Sequence, residues 1–308
     1  MSILPSWLPV PSVARARAAG RKFRQCTYEY HEAMDKYLDG RDPGAKWQDM
    51  DSVSTMMKER AEIFRRLNLS IQGRAAADLG VAWAMNANAN SLVPWMIWEI
   101  SRDAVLLEQI QEEIAPYVRV AQPNNEFGSA VWLAPELEHI DVDGLLTKCP
   151  LLKGAYIETL RLYTGSWAMK QTVKDMVIGE RGKEQSFFVK EGTYVHSPQD
   201  LHQMDPEYYP DPKEFLPQRH IRETEDKNGK LVRTAEMGTL KPYSGGPAMC
   251  KGRAFATREM LVYPAVLLSL YEFVAPEGKG WVMPKTEKRA ATRHPRTPMT
   301  VWIRRKKF

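Results

Sequence analysis

Twelve residues, Pro242-Tyr243-Ser244-Gly245-Gly246-Pro247-Ala248-Met249-Cys250-Lys251-Gly252-Arg253, constrain this chain more than any others. Two adjacent glycines followed by a proline make a tight, rigid turn. The apolar stretch that follows predicts a helix over residues 250–272. The turn therefore delivers a single cysteine, Cys250, to the mouth of a long helix. Backbone N–H groups and the positive end of the helix dipole stabilise a thiolate there. Gly246 belongs to the turn, and Gly252 permits close packing beside the sulfur. Taken alone, the pattern equally suits a structural cysteine behind a glycine-rich turn.

Cysteine usage narrows the choice. Cys26, Cys149 and Cys250 are far apart and odd in number, which argues against a disulfide framework and for a reducing compartment. No CxxC pair suggests zinc, so a thiol is free to serve as a lone metal ligand. The chain is 44% hydrophobic and 26% charged, with formal charge +5, an ordinary globular composition. Part of the basic excess sits in Arg304, Arg305, Lys306 and Lys307, without the interleaved aromatics that stack bases, which excludes a nucleic-acid partner. No apolar run is long enough to span a bilayer. Ile3, Leu4, Trp7 and Leu8 could contact a membrane surface.

The pattern along the chain is mainly α with a small β portion. Helices are expected over 12–38, over 51–69 with Met56, Ile63 and Leu67 on the inner side, over 102–118 and over 143–163. Residues 74–100 read as one long helix, apolar on nearly every side and buried, carrying Asn86, Asn88 and Asn90 in its middle and kinked at Pro94. Asparagines cost helix propensity and need partners when buried, so this patch marks a candidate site. Short strands are expected within 166–197, ordered loop over 203–248 and a last strand over 300–303. Trp95, Trp98 and Trp132 read as core, and His31, His139, His196 and His294 as scattered structural or solvent-facing residues.

Three further features accompany the cysteine turn. Glu158 and Arg161 lie one helical turn apart and can pair. Arg219, in the proline-fixed run Phe215-Leu216-Pro217-Gln218-Arg219, can close a Glu158–Arg161–Arg219 network through its planar fork. Taken together and in this order, Glu-x-x-Arg, Pro217-x-Arg219-His220 and Tyr243…Cys250-x-Gly252 resemble the cytochrome P-450 family from its G helix onward. The resemblance implies the C-terminal part of that fold, with haem b held by the Cys250 thiolate. It also implies a single incomplete haem-thiolate domain over residues 1–308, lacking the N-terminal third. Tyr243 stands where the family has Phe, Ala248 where it has a propionate-binding Arg, and His220 where it has Phe. Lys170 stands where another propionate-binding Arg is frequent.

The helix around residues 87–92 resembles the family's distal helix, with its acid–alcohol pair replaced by Asn90 and Ser91. Versions with Asn resemble sterol- and prostanoid-processing branches and fungal secondary-metabolism members. What the resemblance implies is monooxygenation of a lipophilic terpenoid, sterol, alkaloid or polyketide. The reaction uses O2 and NADPH electrons delivered by a reductase, with Asn90 and Ser91 as catalytic residues. Two other readings stay open at this point: reductase-independent isomerase or dehydratase chemistry, and a truncated non-catalytic member. Family resemblance places the chain on the endoplasmic reticulum surface; the lack of an encoded anchor implies a cytoplasmic chain if it is truly this short.

Overall fold

A computed structural model describes residues 11–123, 133–165, 167–179, 185–225, 229–289 and 291–307. Ile3, Leu4, Trp7, Leu8 and Trp132 lie outside the described residues. The chain forms two compact units, one ending at Asn86 and the other spanning Ala87–Phe308. Among the described residues, no helix is long and apolar enough to cross a membrane.

The first unit contains helix α1 (Pro11–Leu38), helix α2 (Thr55–Arg66) and helix α3 (Ile71–Ala87). Its small core joins Ala33, Met34, Met50 and Ala61. Buried Arg74 reaches both carboxylate oxygens of Asp35 at 2.8 and 2.9 Å, tying α3 to α1. The inner side of α2 is the reverse of the one expected. Ala61 and Phe64 are buried, whereas Met56, Ile63 and Leu67 are exposed. Small Ala61 lets the helices approach, and the Phe64 ring buries more area than any of the three aliphatic side chains.

The expected helix over 74–100 is two helices. α3 stops at Ala87 and helix α4 (Ala89–Arg102) begins after Asn88, whose φ/ψ of −120°/−57° leaves the helical basin. The break lies ahead of Pro94, which sits inside α4. Asparagine and serine groups compete with the helical ladder here: Asn86 donates to the Ala82 carbonyl and Ser91 to the Asn88 carbonyl. Pro94 adds to this by withholding the N–H that the Asn90 carbonyl would accept. Only α4 is broadly buried; α3 exposes Val81, Trp83 and Met85.

In the second unit α4 packs with helix α5 (Ala104–Ile114), helix α7 (Pro150–Tyr163) and, further on, helix α9 (Arg253–Leu270), and helix α6 (Val142–Lys148) packs against α9. Leu106, Ile110 and Ile114 form the buried stripe of α5, capped by Asp103, whose carboxylate accepts from Val105 and Leu106 N–H. The helix expected over 143–163 divides at Cys149, where Pro150 starts α7. The strands pair as antiparallel ribbons: β1 (Val118–Ala121) with β2 (Glu136–Ile140), β3 (Trp167–Gln171) with β6 (Tyr194–Pro198), and β4 (Met176–Gly179) with β5 (Ser186–Val189). β7 (Ile221–Glu225) pairs with β8 (Leu231–Ala235), β9 (Tyr271–Val274) with β12 (Trp302–Arg305), and β10 (Thr286–Arg289) with β11 (Thr292–Pro295). The short helix α8 (Gln199–Gln203) follows β6.

The centre of this unit is a carboxylate. Glu158, fully buried on α7, receives Arg161 Nε at 2.8 Å and Nη2 at 2.7 Å. Arg219 Nε at 3.1 Å and the Leu216 N–H at 3.0 Å reach the same group. His220, a minor departure on sequence grounds, adds Nε2 at 2.7 Å. Arg161 spends its remaining donors on the carbonyls of Gln203, Pro212 and Glu214. The network thus staples the irregular segment 203–220 onto α7. The approach is close: a Cβ at Gly154 would meet the Pro217 carbonyl oxygen at 2.6 Å.

Burial raises the Glu158 carboxyl pKa, but Arg161, His220 and the other donors outweigh it and hold the group down to about 2. The ion is therefore favoured in the folded chain. Its contribution is complete above the unfolded carboxyl value of about 4.3 and is lost as pH falls from there through about 2. The gap corresponds to about 3 kcal/mol. Urea unfolding should show stability declining over this acid window, and Glu158→Gln should cost about 3–5 kcal/mol at neutral pH by stranding Arg161. A Glu158→Gln midpoint equal to that of the parent chain would show the network contributes nothing.

Candidate functional site

The cysteine turn is built from its own backbone. Ser244 N–H donates to Lys241 at 2.8 Å, Met249 N–H to Gly246 at 3.1 Å and Cys250 N–H to Tyr243 at 3.0 Å. Gly246 has φ of +61°, a left-handed conformation that glycine adopts without strain. These bonds present an exposed Cys250 three residues before α9 starts at Arg253. A Cβ at Gly252 would lie 3.9 Å from Cys250 Sγ, so the missing side chain leaves that flank of the sulfur open.

Tyr243 anchors the turn from below. Its hydroxyl lies 2.7 Å from the Tyr156 hydroxyl on α7, which lies 3.1 Å from Thr257 Oγ1 on α9. Burial, followed by the neighbouring Tyr156, drives the Tyr243 hydroxyl pKa far up, and burial likewise raises Tyr156; Cys250 adds a smaller push to both. Both phenols stay protonated and able to donate.

The cysteines differ in chemistry. Cys149 is buried, with its thiol pushed up to about 12 by burial and by the charges of Glu113 and Asp141. It remains a thiol and contacts the Glu113 carbonyl at 3.6 Å. Cys26 is exposed on α1 in the other unit. Among the described residues, no group of three or more His, Cys, Asp or Glu is placed to hold a bare metal ion. A solitary, exposed sulfur at a helix mouth suits a metal that brings its other donors with it, as in a macrocycle.

The start of α4 provides a second polar cluster. Asn90 is exposed and Ser91 half-buried. Ser91 Oγ donates to the Asn88 carbonyl at 2.7 Å and lies 3.3 Å from Thr292 Oγ1 on β11. Asn88 Oδ1 is buried with no hydrogen-bond partner among the described residues. One and two turns on from Ser91, Trp95 and Glu99 continue the same stripe. Trp95 Nε1 donates to the Arg293 carbonyl at 2.8 Å, and its ring stacks on Tyr163 at 4.2 Å. Tyr163 donates to Glu99, which also pairs with Arg102 at 2.5 Å. Burial raises the Glu99 carboxyl pKa, opposed by Tyr163 and Arg102. Strand β11 is thereby clipped along α4.

Glu158, Arg161 and Arg219 meet as a network; Tyr243, Gly246, Gly252 and Cys250 share one turn; Asn90 and Ser91 sit together at the head of α4. Lys170 stands exposed on β3 opposite Val195, with no ion pair among the described residues. The sequence reading passed over Thr292, Glu99 and Tyr163 and set His294 aside as structural or solvent-facing. The only signal for Thr292 and His294 was their alternation on a short strand; nothing local in sequence brings either to α4.

The chain matches the family description cytochrome P-450 over residues 2–301. It is 26% identical to a cytochrome P-450 monooxygenase of Gibberella zeae over 75% of this chain and 42% of the relative. It is 32% identical to the cytochrome P-450 monooxygenase poxD of Penicillium oxalicum over 82% and 47%, and 25% identical to the cholesterol 7-alpha-monooxygenase of Cricetulus griseus over 78% and 46%. The chain spans about half the length of these curated relatives. With the family matched across nearly all its length, and the cysteine turn and the buried glutamate network both formed, this chain belongs to the cytochrome P-450 family.

Proposed function

We propose that this chain carries the haem-thiolate centre of a monooxygenase acting on a lipophilic small molecule. The observation that supports it most is the exposed Cys250 on a backbone-braced turn at the mouth of α9, beside the protonated Tyr243–Tyr156 pair. Cys250 would hold the haem iron through its thiolate. Gly246 would let the turn form, Gly252 would give the sulfur room, and Lys170 would offer one positive charge to a propionate without the second donor of an arginine fork. Bound haem with a thiolate ligand supplies O2 activation, with electrons arriving from NADPH through a reductase.

What this chain's own residues contribute is orientation and proton handling. Ser91 Oγ holds a hydroxyl proton in a defined direction, on the Asn88 carbonyl. Asn90 orients water through its amide but cannot change charge. A bulky terpenoid, sterol, alkaloid or polyketide is the substrate class, in keeping with a relative named for cholesterol. The same reading places the chain at the endoplasmic reticulum surface.

Haem-reconstituted chain, reduced under carbon monoxide, should show the red-shifted Soret band of a thiolate-ligated carbonyl complex. Cys250→Ser should abolish that band and Cys149→Ser preserve it; a band surviving Cys250→Ser would refute the assignment. With reductase, NADPH and O2, Ser91→Ala should lower product formed per NADPH by about tenfold or more, the electrons appearing as peroxide. Unchanged coupling would remove Ser91 from the mechanism.

A further inference from the structure

A cavity of about 380 Å³ opens between α1, α2 and α3, wholly within the first unit. It shares no residue with the cysteine turn or with the Asn90–Ser91 cluster. Helix α1 contributes Phe23, Cys26 and Tyr30, and α3 contributes Asp78, Val81 and Met85. Each set is spaced by three and four residues, so one face of either helix borders the space. Trp47, in the short turn after α1, and Met57 of α2 complete the walls. The Trp47 ring stands edge-on to Tyr30, with centroids 5.9 Å apart. Phe23, Val81 and Met85 stay exposed, and large apolar groups gathered on a water-facing surface mark a binding site. A concave space of this volume suits a small organic molecule.

The few polar groups in the walls narrow the ligand's chemistry. Asp78 Oδ1 accepts from Arg60 Nε at 2.6 Å, and Oδ2 lies 2.8 Å from His31 Nε2. Burial raises the Asp78 carboxyl pKa, but His31 and Arg60 outweigh it and hold the group ionised. An anionic ligand would meet that charge, and a cationic one would have to displace Arg60 or His31. Thr27 spends its hydroxyl on the Phe23 carbonyl of its own helix at 2.8 Å. Tyr30 is different: its hydroxyl is buried with no hydrogen-bond partner among the described residues. Burial, and then the charge of Asp78, raises the Tyr30 pKa, so the phenol keeps its proton. It is a donor without an acceptor, and leaving such a bond unmade away from water is costly.

We propose that this cavity is a second ligand site, for a neutral lipophilic molecule bearing a carbonyl group. The carbonyl oxygen accepts the Tyr30 hydroxyl, and the hydrocarbon body lies among Phe23, Trp47, Val81 and the two methionines. Met57 and Met85 are unbranched thioethers that repack readily, and they are the walls that yield as the carbonyl enters. Binding is reversible and makes no covalent bond. The site stands on the first unit alone and does not depend on the haem-thiolate reading.

Cys26 provides the readout, because it lines the cavity and is exposed. Its alkylation by iodoacetamide is timed by peptide mass spectrometry on the full haem-loaded chain, with free glutathione in the same tube as reference. Two compounds of matched shape are compared: 2-acetylnaphthalene, which carries the carbonyl, and 2-ethylnaphthalene, which lacks it. The ketone should slow Cys26 alkylation in a saturable way and leave glutathione untouched. The hydrocarbon should need about tenfold higher concentration for the same effect, the worth of one recovered hydrogen bond. Tyr30→Phe removes the donor and keeps the ring, and in it the two compounds should protect at equal concentrations. Failure of both compounds to protect Cys26 in the parent chain overturns the site. Equal protection by both in the parent chain, or a ketone preference that survives Tyr30→Phe, overturns the carbonyl assignment.

Discussion

A single buried negative charge organises the second unit. Glu158 could not be ionised inside a helix-packed core without compensation, since desolvation of a carboxylate costs several kcal/mol. Here compensation is complete, because Arg161, Arg219, His220 and a backbone N–H converge on its two oxygens. Arg161 spends what is left of its fork on carbonyls from an irregular segment. The segment therefore owes its shape to a charge on a neighbouring helix rather than to its own hydrogen-bond ladder. That same helix carries Tyr156, whose hydroxyl is hydrogen-bonded with that of Tyr243, so the carboxylate network and the cysteine turn share one support.

The two buried polar stripes of α4 and α7 do different work. On α7, charge is concentrated and neutralised at one point. On α4, hydroxyl, indole and carboxyl groups are strung along one face at Ser91, Trp95 and Glu99, each bonded to another element. The first two of these contacts align β11 and the third ties α4 to α7, each directional and one helical turn from the next.

How much of this was legible in sequence depends on range. The cysteine turn, α1, α5 and the Glu158–Arg161 spacing were readable because their determinants lie within a few residues. Helix α9 was placed to within three residues at either end. What escaped was set by distant partners. The ribbon β7–β8 lies in a stretch whose composition reads as loop, and β10–β11 in one that carries no element signal; both are strands because each finds its partner across a turn. The inner face of α2 was misread because three aliphatic residues outnumber one phenylalanine in a count, while burial follows the larger ring. The break at Asn88 was anticipated as a strained patch but drawn as continuous helix, since propensity alone does not say whether a helix bends or stops.

Gly154 turns this architecture into something more demanding than tight packing. Its missing side chain is the space into which the Pro217 carbonyl reaches. Two and three residues beyond that carbonyl, Arg219 and His220 meet the carboxylate one turn along α7. A single added methyl would therefore act as a wedge whose damage is electrical: by lifting one loop it would withdraw two cationic or proton-donating partners from Glu158 together. Steric tolerance at one helix position and charge balance at another are in this protein the same quantity.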